Sequence, residues 1–453
     1  MSATCQVPDV GRAALRRALG RWDLTAIGVN QVIGGGVFLT PSLVAAQLGT
    51  WSPVGFVLVG MASMLIGLCF AEVGSRFDST GGPYLYARAA FGRFAGFEVG
   101  WMQWFTRASA QASVVNGVAL ALGSYSASLA SGAGRAMLIT LVTGALAWIN
   151  FRGIRQSSFV VNALTVGKLV PLAIFIVIGL FFVDWPKLVP SGAISPGRWA
   201  AGALLLAFSF GGYEVVPVPA GESAAPGRNL VFAMVTTIAA VTLIMALAQT
   251  VAQGTLPDVT QSRTPVAESA RAFMGPLGAM MIAIGSVVSM TGNNAGQVLA
   301  GSRMLFAFGE RGDLPRWFAR IHPRFRTPSN AVLFTSAVAL ALALSGSFEK
   351  LAIASAVARL VPYAATSAST IMLRRARYAA TVRPATFVAP LGPLIPGLGV
   401  VIPLAIMAGA TRPQLLAGLS ALVFGALLFV ASRRLWPNPE RGACSTGIGN
   451  WPG

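Results

Sequence analysis

The chain has 453 residues, of which 55% are hydrophobic and only 10% charged, against roughly a quarter charged in soluble proteins; a soluble fold and a sizeable soluble catalytic domain are both excluded. Twelve membrane helices of about 20 residues would occupy about 240 positions, which matches the apolar content of a chain with mean hydropathy +0.69. The net charge of +19 invites a nucleic-acid partner, and the placement of the basic residues decides against it.

Residues 1–21 read as a cytoplasmic basic segment, with Arg12, Arg16 and Arg17 on one helical face suited to anionic headgroups. It has neither the apolar core nor the small-residue cleavage site of a removable signal peptide. Apolar spans follow at 23–49, 53–74, 94–123, 136–151 and 158–183, then at 199–219, 230–252, 277–305, 331–345 and 351–373, and finally at 394–410 and 415–431. With twelve spans, both tails and alternate loops share one side of the membrane. That side collects Arg12 to Arg21, Arg76, Arg88, Arg93, Arg152, Arg155, Arg228, the run from Arg303 to Arg326, Arg374 to Arg383, and Arg433 to Arg441. The other side has only Arg135, Lys187, Arg198, Arg263, Arg271, Lys350 and Arg412. By the positive-inside rule both termini are cytoplasmic, so the basic balance reports topology rather than a nucleic-acid partner. Cys5, Cys69 and Cys444 are too scattered for a disulfide framework or a metal site, and no cofactor motif is present.

The first span carries Val32-Ile33-Gly34-Gly35-Gly36-Val37-Phe38 at its middle, and consecutive glycines make poor helix interior. Close helix packing through small residues is the plain alternative. Five spans later Phe208-Ser209-Phe210-Gly211-Gly212-Tyr213-Glu214 repeats the feature at mid-span, and each glycine pair is followed at the same spacing by a proline, Pro41 and Pro217. Unwound backbone at membrane depth is tolerated only where it is buried in protein or lines a cavity. Two such breaks in corresponding positions of two five-helix halves point to a transporter binding site.

The stretch from Ile33 to Pro41 resembles the first-helix signature of the amino acid, polyamine and organocation transporters. Ala71 to Phe77 with Gly81-Gly82-Pro83-Tyr84-Leu85-Tyr86, Phe210 to Glu214 continuing to Gly221-Glu222 and Arg228, Gly301-Ser302-Arg303, and Gly309 to Pro315 with Thr327-Pro328 resemble further motifs of that family in order. The resemblance covers approximately residues 22–375. It implies an all-α polytopic membrane protein of about 12 transmembrane helices: a five-plus-five (LeuT-like) inverted repeat with helices 1 and 6 broken, plus two accessory helices. The corresponding divisions are 1–21, the repeats 22–183 and 199–375, accessory helices within 391–432, and a cytoplasmic tail, 433–453. It also implies secondary transport of amino acids across the cytoplasmic membrane. The amides of Gly35 and Gly36 would hold the substrate carboxylate beside Gly34, and the carbonyls of Val32, Phe208 and Gly211 the amino group, with Gly212 leaving room. Many relatives carry Ser, Thr or Ala where Gly35 stands, so carboxylate binding here would rest on backbone alone. Phe208 resembles an aromatic gate of the family, and a Phe in an apolar span is also ordinary core.

Ionisable groups inside spans are costly and functional by default. Lys168 lies too deep in the fifth span to reach the surface; its position resembles the lysine with which sodium-independent members fill the space of a sodium ion, as a proton carrier or a fixed internal cation. Glu214 matches a position where proton-linked relatives have an acid, and the alternative is a permanent ion pair with Arg107 or Arg359. Those arginines read as structural partners; should either face the site, acidic substrates become credible. Ser286 and Ser289 are possible ion-site hydroxyls, or bond back to their own helix turn. Glu72 and Arg76 are spaced as an i,i+4 pair, and Trp101 and Trp104 read as interface anchors.

An intramembrane enzyme finds no support, since the single histidine, His322, lies in a loop and neither a Walker A loop nor a GxSxG elbow is present. The reading is therefore sodium-independent transport, by proton-coupled symport or amino acid exchange. An exchanger of amino acids or polyamines without proton coupling, a channel and a nutrient sensor remain as alternatives, with oligomeric state open.

Overall fold

A computed structural model describes residues 19–435 apart from 78–80, 124–125, 153–156, 219–222, 224 and 379–381. Nearly all of the basic N-terminal segment, the tail beyond 435, Cys5, Cys444, Gly221 and Glu222 lie outside the described residues. The described chain is helical, with a single isolated β-bridge between Leu19 and Ser223. The first five spans are α1 (Arg21–Val32) with α2 (Gly36–Leu48), α3 (Ser52–Gly74), then, after the short α4 (Pro83–Phe91), α5 (Arg93–Gly123), α6 (Gly132–Arg152) and α7 (Ser157–Gly179). The second five are α8 (Pro196–Ser209) with the turn Tyr213–Val215, α9 (Pro226–Thr255), α10 (Pro265–Glu310), α11 (Ser329–Ser345) and α12 (Phe348–Leu373). Helices α13 (Leu394–Ala408) and α14 (Arg412–Leu435) follow as the accessory pair.

Local chemistry sets the boundaries that matter. α1 opens where the Gly20 amide donates to Asp23 Oδ2 at 2.9 Å, and it stops at the glycine run, which gives the helix no side-chain packing and raises its entropic cost. α8 begins with Pro196 after Ser195, the favoured first-turn position for proline, and ends at the second glycine pair. There Gly212 has φ 140°, a region closed to other residues. Helix α10 would be about 69 Å long if straight; Gly275, at φ 68°, and Pro276 divide it, so that only the later part spans.

α5 is the spine, packed on α4, α10, α11, α12 and α14, while α1 packs on α7 and α9, α2 on α8, and α3 on α9. Large apolar side chains stay exposed around the outside, among them Leu243, Leu277, Phe181, Leu416 and Leu427. In water such a surface would aggregate; in a bilayer it is the lipid face.

Two sequence readings are corrected by packing. Trp101 and Trp104 are buried, at 5% and 2% exposure, because α11 and α14 cover them: Trp101 Nε1 donates to Ala421 O at 2.8 Å and Trp104 Nε1 to Thr335 Oγ1 at 3.2 Å. They are helix-packing residues rather than interface anchors. The i,i+4 contact from Arg76 to Glu72 is loose, 3.7 Å. The main partner of Glu72 is Arg374, which donates through Nε at 2.8 Å and Nη2 at 2.6 Å, and the Ala389 amide adds a third bond at 2.8 Å.

Candidate functional site

The first break leaves the last carbonyls of α1 without helical partners, and side chains from other helices meet them. Lys168 on α7 donates from Nζ to Asn30 O at 2.9 Å and to Ile33 O at 2.6 Å. Ser289 on α10 donates to Ile33 O at 3.0 Å or Gly34 O at 3.1 Å. One turn further along α10, Asn293 Nδ2 donates to Gln31 O at 2.6 Å. Lys168 is fully buried. Ser286 is not brought to the break: its hydroxyl bonds back to Ala283 O at 2.8 Å and it lines a separate cavity.

The second break is met in the same way from α12. Arg359 donates through Nη1 to the carbonyls of Ala207 and Phe208, both at 3.2 Å, and through Nη2 to Ser355 Oγ at 3.4 Å. Gly211 makes this possible, since a Cβ there would fall on the guanidinium. Arg359 Nε lies 3.0 Å from Glu214 Oε1, and Arg107 on α5 pairs with the same oxygen. The other oxygen, Oε2, accepts from the Gly212 amide at 2.8 Å and from Tyr363 OH at 2.9 Å. From Arg107 the network continues to Gln297 Oε1 at 3.1 Å and from Gln297 to Asn293 Oδ1 at 3.3 Å. The two breaks are thus joined by one buried polar chain.

They also touch backbone to backbone. A Cβ on Gly212 would strike the Gln31 carbonyl, one on Gly36 would come within 3.0 Å of Ser209 Cα, and the hydroxyls of Thr40 and Ser209 meet at 2.9 Å. Between the breaks lies a cavity of about 20 Å³ lined by Gln31, Val32, Gly34, Gly35, Gly36, Ala110, Val114, Phe208, Ser209, Gly211, Asn293, Gln297 and Arg359, room for about one water molecule. The amides of Gly35 and Gly36 open the first turn of α2, where a helix has no carbonyl of its own to offer them.

On the side away from the arginine-rich loops the cavity is closed by a thin apolar layer. Phe208 meets Phe348 edge to face at 5.9 Å, and a Cβ on Gly35 would lie 3.3 Å from Met290 Sδ and 3.6 Å from the Phe348 ring. Beyond this layer a vestibule of about 630 Å³ is lined by Leu39, Asn116, Arg135, Arg263, Phe348 and Glu349 among others, and beside it lies a cavity of about 280 Å³ with Glu268, Arg271 and Ser286. The arginine-rich end carries an ion-pair cluster instead. Asp313, after α10, accepts from Tyr84 OH at 2.5 Å, Arg88 Nη1 at 2.8 Å and Arg93 Nε at 2.5 Å, and Arg93 also holds Gly312 O at 2.8 Å.

All the proposed substrate and ion residues except Ser286 therefore gather at the two breaks. Sequence reading missed Asn293, Gln297, Tyr363 and Phe348. The polar pair Asn293 and Gln297, one helical turn apart in an apolar span, was a legible signal, whereas Tyr363 and Phe348 look like ordinary core until the helices are packed.

Comparison with known proteins agrees with this architecture. The family profile described as "Amino acid permease" matches residues 19–434. The serine/threonine exchanger SteT of Bacillus subtilis (strain 168) is 31% identical over 349 residues, covering 74% of this chain and 78% of the relative. The branched-chain amino acid permease BcaP of the same organism is 24% identical over 418 residues, 86% of this chain and 87% of the relative. Its methylthioribose transporter is 26% identical over 410 residues, 84% of this chain and 86% of the relative.

Proposed function

The chain belongs to the amino acid permease family, and from that premise we propose that it carries amino acids across the cytoplasmic membrane by alternating access, without sodium. The observation that carries the reading is the convergence of both broken helices on one closed cavity, lined by helix-terminal backbone and by a few buried polar side chains. Free amides at the start of α2 suit a carboxylate. An apolar layer on one side and an ion-pair cluster on the other supply the two separate gates that alternating access requires. The three relatives are named for serine and threonine, branched-chain amino acids and methylthioribose. One scaffold serving such different cargo argues that the side chains around the breaks choose the substrate.

Sodium independence rests on Lys168. Its Nζ already occupies the carbonyls of Asn30 and Ile33, the hard oxygen donors that a sodium ion would need, and so fills that space. Glu214 faces two guanidinium groups, a hydroxyl and an amide, which favours a fixed counter-ion over a proton carrier, and exchange over coupling through this residue. The arginine-rich end is taken as cytoplasmic.

Reconstitution in proteoliposomes tests the proposal. Saturable uptake of labelled amino acids, stimulated by amino acid inside the vesicle and unchanged when choline replaces sodium at a fixed proton gradient, is the expected result. Linear flux would make the protein a channel, binding without flux a sensor, and a steep loss of uptake in choline would remove the role given to Lys168.

A further inference from the structure

The cavity between the breaks is built around two guanidinium groups and one carboxylate. Arg359 lines it directly. Arg107 stands behind, paired to the same Glu214 oxygen as Arg359 and bonded to Gln297, which also faces the cavity. Both arginines are buried, at 0% and 1% exposure, and an arginine stays charged in any protein site. One carboxylate cannot neutralise both. Of the other acids with buried carboxylate oxygens among the described residues, Glu72 and Asp313 are committed at the arginine-rich end to Arg374 and to Arg88 with Arg93, and Glu98 sits near the start of α5 against Gly425 of α14. The centre of the membrane thus holds surplus positive charge, which is costly until an anion arrives.

The same geometry works against cationic cargo. The Phe208 carbonyl, which the sequence offered to the substrate ammonium, is instead held, with that of Ala207, by Arg359 Nη1. A second ammonium on the substrate would meet like charge and few free carbonyls. The approach carries the same sign: Arg135, Arg263 and Arg271 line the vestibule and its neighbouring cavity against Glu268 and Glu349, and a cleft with net charge concentrates the opposite ion.

Resting on the permease reading, we infer that the cargo is an amino acid with one net negative charge, carrying an acidic side chain besides its α-carboxylate, and that Arg359, supported by Arg107, determines this specificity. An acidic side chain supplies the counter-charge that the site lacks.

The experiment compares L-glutamate and L-aspartate with L-glutamine and L-asparagine, which have nearly the same shape without the charge, and with L-lysine. Binding to the purified full chain is read by thermal shift and uptake by competition in proteoliposomes. The acids should bind at least tenfold more tightly than their amides, and lysine should not compete. Arg107→Gln removes the surplus charge while leaving Glu214 paired with Arg359, and should reduce the acid-over-amide preference to within about threefold; should that variant fail to fold, the wild-type comparison decides alone. Glutamine bound within threefold of glutamate, or lysine bound better than either acid, would overturn the inference. In that event binding of neutral amino acids leaves the permease reading intact, whereas no binding across all twenty amino acids takes that reading down as well.

Discussion

Glu214, Lys168 and Gly212 carry the sharpest tests because each has its environment fully specified. Neutralising Glu214 by Glu214→Gln leaves Arg107 and Arg359 buried without a counter-charge, a loss of about 3–5 kcal/mol for a broken buried pair. We expect a clear fall in melting temperature, with the pH profile of exchange unchanged in shape. A variant of normal stability whose pH profile flattens would instead make Glu214 the proton carrier. Lys168→Met leaves the Asn30 carbonyl with only the long 3.5 Å bond from Asn293 Nδ2, while Ser289 still reaches Ile33, at a cost of about 1–3 kcal/mol; thermal denaturation in detergent should show it, and substrate affinity should fall as the first break loosens. At Gly212 the backbone demands φ 140° and the Gln31 carbonyl occupies the space of a side chain. Gly212→Ala should therefore abolish binding even where the protein still folds, with strain of about 1–3 kcal/mol at the one residue. Wild-type affinity in that variant would contradict the contact between the two breaks.

Among the elements, α4 and the segment after α10 explain why two motifs far apart in the chain accompany one another. Gly81 and Gly82 take positive φ and turn the chain into α4, which presents Tyr84 and Arg88; the turn at Gly312 then presents Asp313 to both and to Arg93. Burial and the Asp313 carboxylate push the Tyr84 phenol up, so it remains a donor throughout the physiological range. This cluster ties α4 and the start of α5 to the end of α10 and closes the arginine-rich end of the molecule. Asp313→Asn should weaken that closure. A cysteine introduced beside the central cavity should then be labelled several-fold faster from the arginine-rich side, with a modest stability loss because Arg88 and Arg93 are partly exposed. Equal labelling rates in variant and parent would show that the cluster is not a gate. The opposite closure is apolar: Phe348 meets Phe208 across the mouth of the cavity, and Phe348→Ala should leave the fold intact while speeding exchange of bound substrate.

For the molecule as a whole, the sequence by itself determined the class, the two breaks and the family resemblance. These are written in local patterns: apolar runs of membrane length, glycine pairs with a proline at fixed spacing, and arginines concentrated in alternate loops. Each pattern acts within one helix or one loop, so no packing knowledge is needed to read it. The same reading brought Arg107, Lys168, Glu214 and Arg359 forward, because an ionisable group inside an apolar span is conspicuous wherever it points. Partnership is where the sequence stopped. It left Glu214 between two arginines in the abstract, whereas the packed helices bring α5 and α12 to the same carboxylate oxygen. It offered Ser286 and Ser289 alike, but only Ser289 reaches the break, since residues three apart on a helix point in directions about 60° different. It paired Glu72 with Arg76 from spacing, while Arg374, some three hundred residues away, makes the shorter contacts. Trp101 and Trp104 were read against a lipid interface that α11 and α14 in fact cover. Which polar groups meet was decided by tertiary structure because every carbonyl and charge buried at membrane depth must find its partner within the protein, and that partner lies on another helix whose position no local pattern records.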